Sequence, residues 1–131
     1  MKITKNFTLT ELTKTSTGIA NHPNKEQVAA LIKLCVKVLQ PAREMYGKPI
    51  HVTSGYRSPA VNRAVGGAKK SQHMRGEAAD ITVFTKEENK KLFEIIRDNL
   101  SFDQLINERD YSWIHVSYKS KEDNRKQVLK L

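Results

Sequence analysis

Two histidines and one aspartate stand apart in this 131-residue sequence because of what surrounds them. His73 lies in a polar stretch, and Asp80, seven positions later, is embedded in the small and apolar run Ala78-Ala79-Asp80-Ile81-Thr82-Val83-Phe84. A carboxylate in such a run needs an ion pair, hydrogen bonds or a metal, because burying it unpaired is strongly unfavourable. His115 falls in Trp113-Ile114-His115-Val116-Ser117. Strand alternation there puts Trp113, His115 and Ser117 on one face and Ile114 and Val116 on the other. If the strands carrying Asp80 and His115 are neighbours, two imidazoles and a carboxylate converge. That set leaves the fourth position of a tetrahedral zinc open for water, the arrangement of a catalytic rather than a structural site. Spacing alone leaves a second reading open, in which polar residues drawn from four histidines and 14 acids share no ligand. His22, before Pro23, and His51, beside Val52, are expected to be structural or solvated. Cys35 sits in an apolar helical stretch with no Cys-x-x-Cys partner and is read as a small core residue.

Several elements have to position these groups. Thr8-Leu9-Thr10-Glu11 has the form of a capping box and predicts a short N-terminal helix. A longer helix is expected from Asn24, with Gln27 three residues on and Val28, Leu31, Leu34, Cys35, Val38 and Leu39 on one apolar face; Pro41 kinks or ends it. Ile50 to Ser54 reads as a strand closed by Gly55, and Ala60 to Val65 as a short helix stopped by Gly66-Gly67. A loop from Ala68 to Gly76 leads into a strand over Ala78 to Phe84. Thr85 and Glu88 then open a helix with Leu92, Phe93, Ile95, Ile96 and Leu100 inward. Phe102 to Asn107 and Trp113 to Tyr118 are expected to form an antiparallel hairpin across Glu108 to Ser112. The polar, basic end of the chain, Lys119 to Leu131, reads as a last short helix. These expectations describe an α+β domain, a small antiparallel sheet with helices packed mainly from the N-terminal half.

The length and the 38% apolar content fit one domain over residues 1–131, and no repeat or linker divides it. A single cysteine excludes an internal disulfide. No run approaches the ~18 apolar residues of a membrane span, and Met1 to Asn6 lacks the apolar region of a secretory signal. The chain is therefore expected to be soluble, monomeric and made in the cytoplasm. Lys and Arg outnumber Asp and Glu by 23 to 14, and the resulting field attracts polyanions such as wall polymers, nucleic acid or a membrane surface. Nucleic acid is the weaker expectation, since the basic residues are scattered and aromatic residues make up only 7%.

Ser71-Gln72-His73-Met74-Arg75-Gly76-Glu77-Ala78-Ala79-Asp80 resembles the SxHxxGxAxD signature of the M15 zinc D-alanyl-D-alanine peptidases, matching its five fixed positions in ten. That family includes wall carboxypeptidases, vancomycin-resistance dipeptidases and phage endolysins. Ser54-Gly55-Tyr56-Arg57-Ser58 resembles the family's SGYRS element, and Trp113 to Ser117 is similar to its WxHxS strand. Order and spacing agree from about Phe7 to Leu129. The resemblance implies zinc bound by His73, Asp80 and His115, where the metal would polarise the scissile carbonyl and activate a water for attack. Arg57 matches the family arginine that faces the substrate, which implies a grip on a terminal carboxylate or on the developing oxyanion; the alternative is an ion pair. Ser71 would hydrogen-bond the substrate or cap its loop.

One departure concerns the general base. Several members carry an acid three residues before the last histidine, where this chain has Ser112. Phe102-Asp103-Gln104-Leu105-Ile106-Asn107-Glu108 resembles the FDQLIxE segment of the WxHxS branch, which implies Glu108 as base with Asp110 as the fallback. The implied fold is the small one shared with the hedgehog signalling domain. The implied activity is cleavage of peptidoglycan stem or cross-link peptides at or near D-alanine, by a carboxypeptidase or an endopeptidase. A phage or prophage lysin that reaches the wall after release fits the missing signal. The alternative is a non-catalytic, zinc-stabilised wall- or protein-binding domain of the same fold.

Overall fold

The computed structural model describes residues 1–131 and opens on elements too short for any periodicity to announce. β1 (Lys2–Thr4) and β2 (Phe7–Thr8) form an antiparallel ribbon. The capping boxes follow the expected chemistry. Thr8 Oγ1 accepts from the Glu11 amide at 3.2 Å while Glu11 Oε1 accepts from the Thr8 amide at 2.8 Å, opening α1 (Leu9–Thr13). Asn24 and Gln27 exchange the same pair of bonds, both 2.8 Å, at the start of α2 (Lys25–Leu34).

Pro41 neither ends this helix nor breaks it. A π-helical turn over Cys35–Leu39 follows α2, with the Gln40 amide donating back to the Cys35 carbonyl, and α3 (Gln40–Tyr46) continues from it. The widened turn accommodates Pro41, which has no amide N–H to donate, next to the residue whose bond reaches back five positions. Gln40 is tied to the N-terminal ribbon through both ends of its amide, with bonds of 2.9 and 2.8 Å to Asn6.

The remaining elements are β3 (His51–Ser54), α4 (Pro59–Ala64), a 3-10 turn over Gln72–Arg75, β4 (Ala78–Thr82), α5 (Lys86–Asn99), β5 (Gln104–Glu108), β6 (Trp113–Ser117) and β7 (Gln127–Lys130). Their five strands form one sheet in the order β3-β4-β6-β5-β7. Successive pairs are antiparallel except β5 and β7, which run parallel. The expectation of a helix at the end of the chain is thus corrected, and the sheet is mixed rather than wholly antiparallel. A helix over 119–131 would have had only Val128, Leu129 and Leu131 to bury. As an edge strand the same residues satisfy their backbone against β5, from Gln127 to the Asp103 carbonyl and from Leu131 to the Asn107 carbonyl, each at 2.9 Å.

Alternation divides the sheet into two faces. Ala79 and Ile81 of β4, Leu105 of β5 and Ile114 and Val116 of β6 join Leu31, Leu34, Leu92 and Ile96 from the helices in one core. Each fully buried Leu or Ile there contributes about 1.5–3 kcal/mol. Asp80, Ile106 and His115 occupy the intervening positions and face the other way. No helix is long and apolar enough to cross a membrane.

Candidate metal centre

Strand register alone brings two of the three expected ligands together. Asp80 and His115 are direct cross-strand partners on β4 and β6. His73 arrives on the 3-10 turn, whose first turn is capped by Ser71 Oγ accepting from the His73 amide at 3.2 Å. The turn stops at Gly76, which has φ +73°, and a Cβ there would run into the Gln27 carbonyl. Only glycine satisfies both demands. His115 Nδ1 lies 3.0 Å, and His73 Nε2 3.4 Å, from the same Asp80 Oδ1, and the three ligand atoms all fall within 4.8 Å of one another.

The chemistry of this set fits a cation. His73 Nδ1 sits 2.7 Å from the Gly55 carbonyl, which can only accept, so Nδ1 carries the proton of a neutral ring and Nε2 presents a lone pair. That lone pair points at a carboxylate oxygen. Two acceptors held face to face in a buried site repel unless a proton or a metal ion lies between them. Burial alone would raise the Asp80 carboxyl, but when the facing nitrogens of His115 and His73 carry protons their hydrogen bonding and charge outweigh it and hold the group well below the usual carboxylate range. Two imidazole nitrogens and one carboxylate oxygen are the donors zinc takes in catalytic sites.

Arg57 lies beside the cluster and on the border of the cavity it opens into. Its Nη2 donates to Asp80 Oδ2 at 3.2 Å, Nε to Ser54 Oγ at 3.0 Å and Nη1 to Asn62 Oδ1 at 3.3 Å. Each nitrogen of the guanidinium makes one bond, a second N–H remains on Nη1 and on Nη2, and the ion pair with Asp80 is mostly buried rather than superficial. Arg57 holds the carboxylate oxygen that the imidazoles leave free.

The cluster opens into a cavity of about 440 Å³ bordered by Ser71, Ile106, Glu108 and Trp113. Glu108 ends β5 opposite Trp113, just before a turn in which Arg109, Asp110 and Tyr111 all have positive φ, from 48° to 62°. Such a conformation is unfavourable for three successive non-glycine residues and needs external support. The Asn107 side chain accepts from the Tyr111 amide, Asn89 Nδ2 donates to the Tyr111 carbonyl at 2.8 Å, and the Tyr111 ring packs edge-on against Phe93. Asp110 turns away from the cavity, with its side chain 74% exposed and 3.7 Å from Lys86. Ser112 donates to the Arg109 carbonyl at 2.7 Å. Of the two acids considered as base, only Glu108 borders the cavity. His51 is exposed on β3, and Cys35 is fully buried with its thiol pushed up to about 12, chiefly by burial.

Sequence reasoning passed over two groups beside the cluster. Asn62, almost fully buried, accepts from Arg57 and donates to the Ala68 carbonyl at 2.8 Å, joining α4 to the loop before His73. Asp103, fully buried, takes both oxygens to Arg125, whose Nε and Nη2 donate at 2.9 and 2.8 Å. Gln72, next to His73, adds a third side-chain bond at 3.0 Å. The signal for Asp103 was the one used for Asp80, a charge between apolar residues, here Phe102 and Leu105.

These geometric features meet an independent finding. Residues 5–117 match the model of the family described as peptidase M15. The chain is also similar to the zinc D-Ala-D-Ala carboxypeptidase of Streptomyces albus G, being 52% identical to it over 44 residues, which is 33% of this chain and 17% of that protein. It thus aligns with about a sixth of that relative's length. The family match spans β2 to β6, including all three members of the His-Asp-His cluster, and the chain belongs to the peptidase M15 family.

Proposed function

We propose that the chain is a zinc metallopeptidase of bacterial wall peptides, a single domain over 1–131 with the α+β fold shared by D-alanyl-D-alanine peptidases and the hedgehog signalling domain. Its substrates are peptidoglycan stem or cross-link peptides, cut at or near D-alanine. The observation that carries this reading is the convergence of His73 Nε2, Asp80 Oδ1 and His115 Nδ1 beside a cavity with a carboxylate, Glu108, on its border. Family membership and the likeness to a zinc D-Ala-D-Ala carboxypeptidase support it. The excess of basic residues suits an anionic wall polymer as the surrounding partner.

In this mechanism His73, Asp80 and His115 are the zinc ligands. Zinc, when bound, acts as a Lewis acid on the scissile carbonyl and lowers the pKa of water toward neutrality. The Gly55 carbonyl keeps the His73 lone pair on Nε2, and Arg57 keeps Asp80 Oδ2 occupied so that Oδ1 faces the imidazoles. Glu108 takes a proton from the attacking water on a carboxylate oxygen and returns it to the amide nitrogen as the C–N bond breaks. Ser71 caps the His73 turn through its oxygen lone pair and keeps its hydroxyl proton for a peptide carbonyl.

The test is digestion of muropeptides by zinc-loaded protein, comparing wild type with Glu108→Ala. Turnover is expected to fall by about 10²–10⁴ while bound zinc is unchanged. Full activity in the variant would remove Glu108 from the role. A wild type that holds zinc and hydrolyses nothing would make the chain a binding domain of the same fold.

A further inference from the structure

The cavity next to the metal cluster contains a cation that the catalytic reading does not use. Three basic residues border it, Arg57, Lys70 and Arg125. Arg57 is held against the metal cluster, with one bond from each of its nitrogens to Asp80, Ser54 or Asn62. Arg125 is built otherwise. Its Nε and Nη2 grip the fully buried Asp103 in a two-point fork, and its backbone amide donates to the same carboxylate at 3.0 Å. Its side chain nevertheless remains 48% exposed, and Nη1 is left uncommitted. A guanidinium fixed from behind by a buried acid, with one edge presented to a cavity, loses little freedom when it meets a ligand, and its planar fork matches a carboxylate. Exposed Lys70, on the loop before His73, adds a second charge.

We infer that Arg125, with Lys70, forms a carboxylate-recognising subsite of the cavity, separate from the position of Arg57 beside the metal cluster. The inference rests on the peptidase reading in taking the ligand to be a peptide. Arg125 lies beyond the residues that match the family model. It precedes β7, two strands along the sheet from the His115 strand. Its fork sits on Asp103, three residues before Ile106 of β5, the cross-strand partner of His115; strand rise and spacing put that separation at roughly 11 Å, the length of about three extended residues. The recognised group is therefore a side-chain carboxylate about three residues from the cut bond rather than the terminal carboxylate beside it.

Two peptides test this, Ac-Glu-Ala-D-Ala-D-Ala and its twin with Gln in place of Glu, titrated into the zinc-loaded protein and followed by NMR. Wild type is expected to bind the Glu peptide about tenfold more tightly, the usual worth of a charged hydrogen-bonded contact. Arg125→Gln should bring that ratio near one and leave affinity for the Gln peptide within about threefold. A merely structural Arg125 would weaken both peptides equally. Should the variant not fold, the Arg125 Nε–Hε resonance of wild type gives the same answer, moving with the Glu peptide and staying still with its twin. A wild-type ratio of one, a ratio that survives Arg125→Gln, an unmoved Arg125 resonance, or no binding of either peptide overturns the subsite. Hydrolysis of the bound peptides is scored separately. Discrimination without cleavage would sink the peptidase reading and keep the subsite, and equal cleavage of both twins would do the reverse.

Discussion

Asp80 at the centre of the sheet and Asp103 at the head of β5 are both buried carboxylates, and they are buried for opposite ends. Around Asp103 every partner is a donor. Oδ1 takes the Arg125 amide and Nε, and Oδ2 takes Arg125 Nη2 and Gln72 Nε2, so the group is saturated and fixes the start of β7. Around Asp80 only Arg57 is an unconditional donor, and the two imidazoles face the other oxygen with an arrangement that a cation completes. Burial marks a charge as meaningful, and the identity of its neighbours says what it is for. Where donors fill every lone pair the carboxylate serves the fold. Where a neighbour's lone pair faces it, as that of His73 faces Asp80, there is room in the arrangement for a cation.

Removing each acid should separate these roles. The largest effect is expected at Asp80, whose change to Ala takes away the only anion of the proposed zinc set; zinc should fall from equimolar to none after dialysis, as read by elemental analysis. Zinc retained by that variant would erase the contrast. Arg57→Lys, which keeps the charge but cannot reach Ser54, Asn62 and Asp80 together, should weaken zinc by about 10–100-fold in a chelator competition and leave its stoichiometry intact. Asp103→Asn should retain zinc fully and instead lower unfolding stability by about 1–3 kcal/mol in urea.

The pH dependence sharpens the contrast further. Burial alone would raise the Asp103 carboxyl, but the Arg125 side chain and amide overcome that and bring it down to about 2. Unfolded, it titrates near 3.9. The pairing therefore stabilises the fold above that unfolded value and is lost as pH falls toward 2. The urea midpoint of wild type should drop more steeply across that window than that of Asp103→Asn. The smallest effect is expected at exposed His51, where a change to Ala should leave zinc unaltered and stability within about 0.5 kcal/mol.

What the sequence made legible follows the range over which each signal acts. Caps at Thr8, Asn24 and Thr85 are decided within four residues, and all three form. Alternation in Trp113 to Ser117 placed His115 on the polar face, and the position of Asp80 in an apolar run placed it on a buried strand. Longer-range outcomes were not readable. The engagement of Arg57 depends on Asp80 twenty-three residues away, and the pairing of β7 with β5 depends on Asp103 and Arg125 finding each other across twenty-two. Nothing in Gln127 to Lys130 by itself says strand rather than helix. The turn at Arg109 to Tyr111 was expected as a hairpin connection, yet its positive φ values depend on Asn89, which sits on another element.

The π-helical turn at Cys35–Leu39 also acts as a phase shifter. Each residue of an α-helix advances the side-chain direction by about 100°, so one residue accommodated in a wider turn offsets everything that follows by nearly that angle. Deleting one residue from Val36 to Lys37 would restore a regular helix and swing α3 around its own axis. Gln40 would leave Asn6, and Ala42 would leave the core. A change that makes the helix more ideal would thus unfasten the N-terminal ribbon, and the irregular turn records the alignment between two helical segments that regular geometry could not provide.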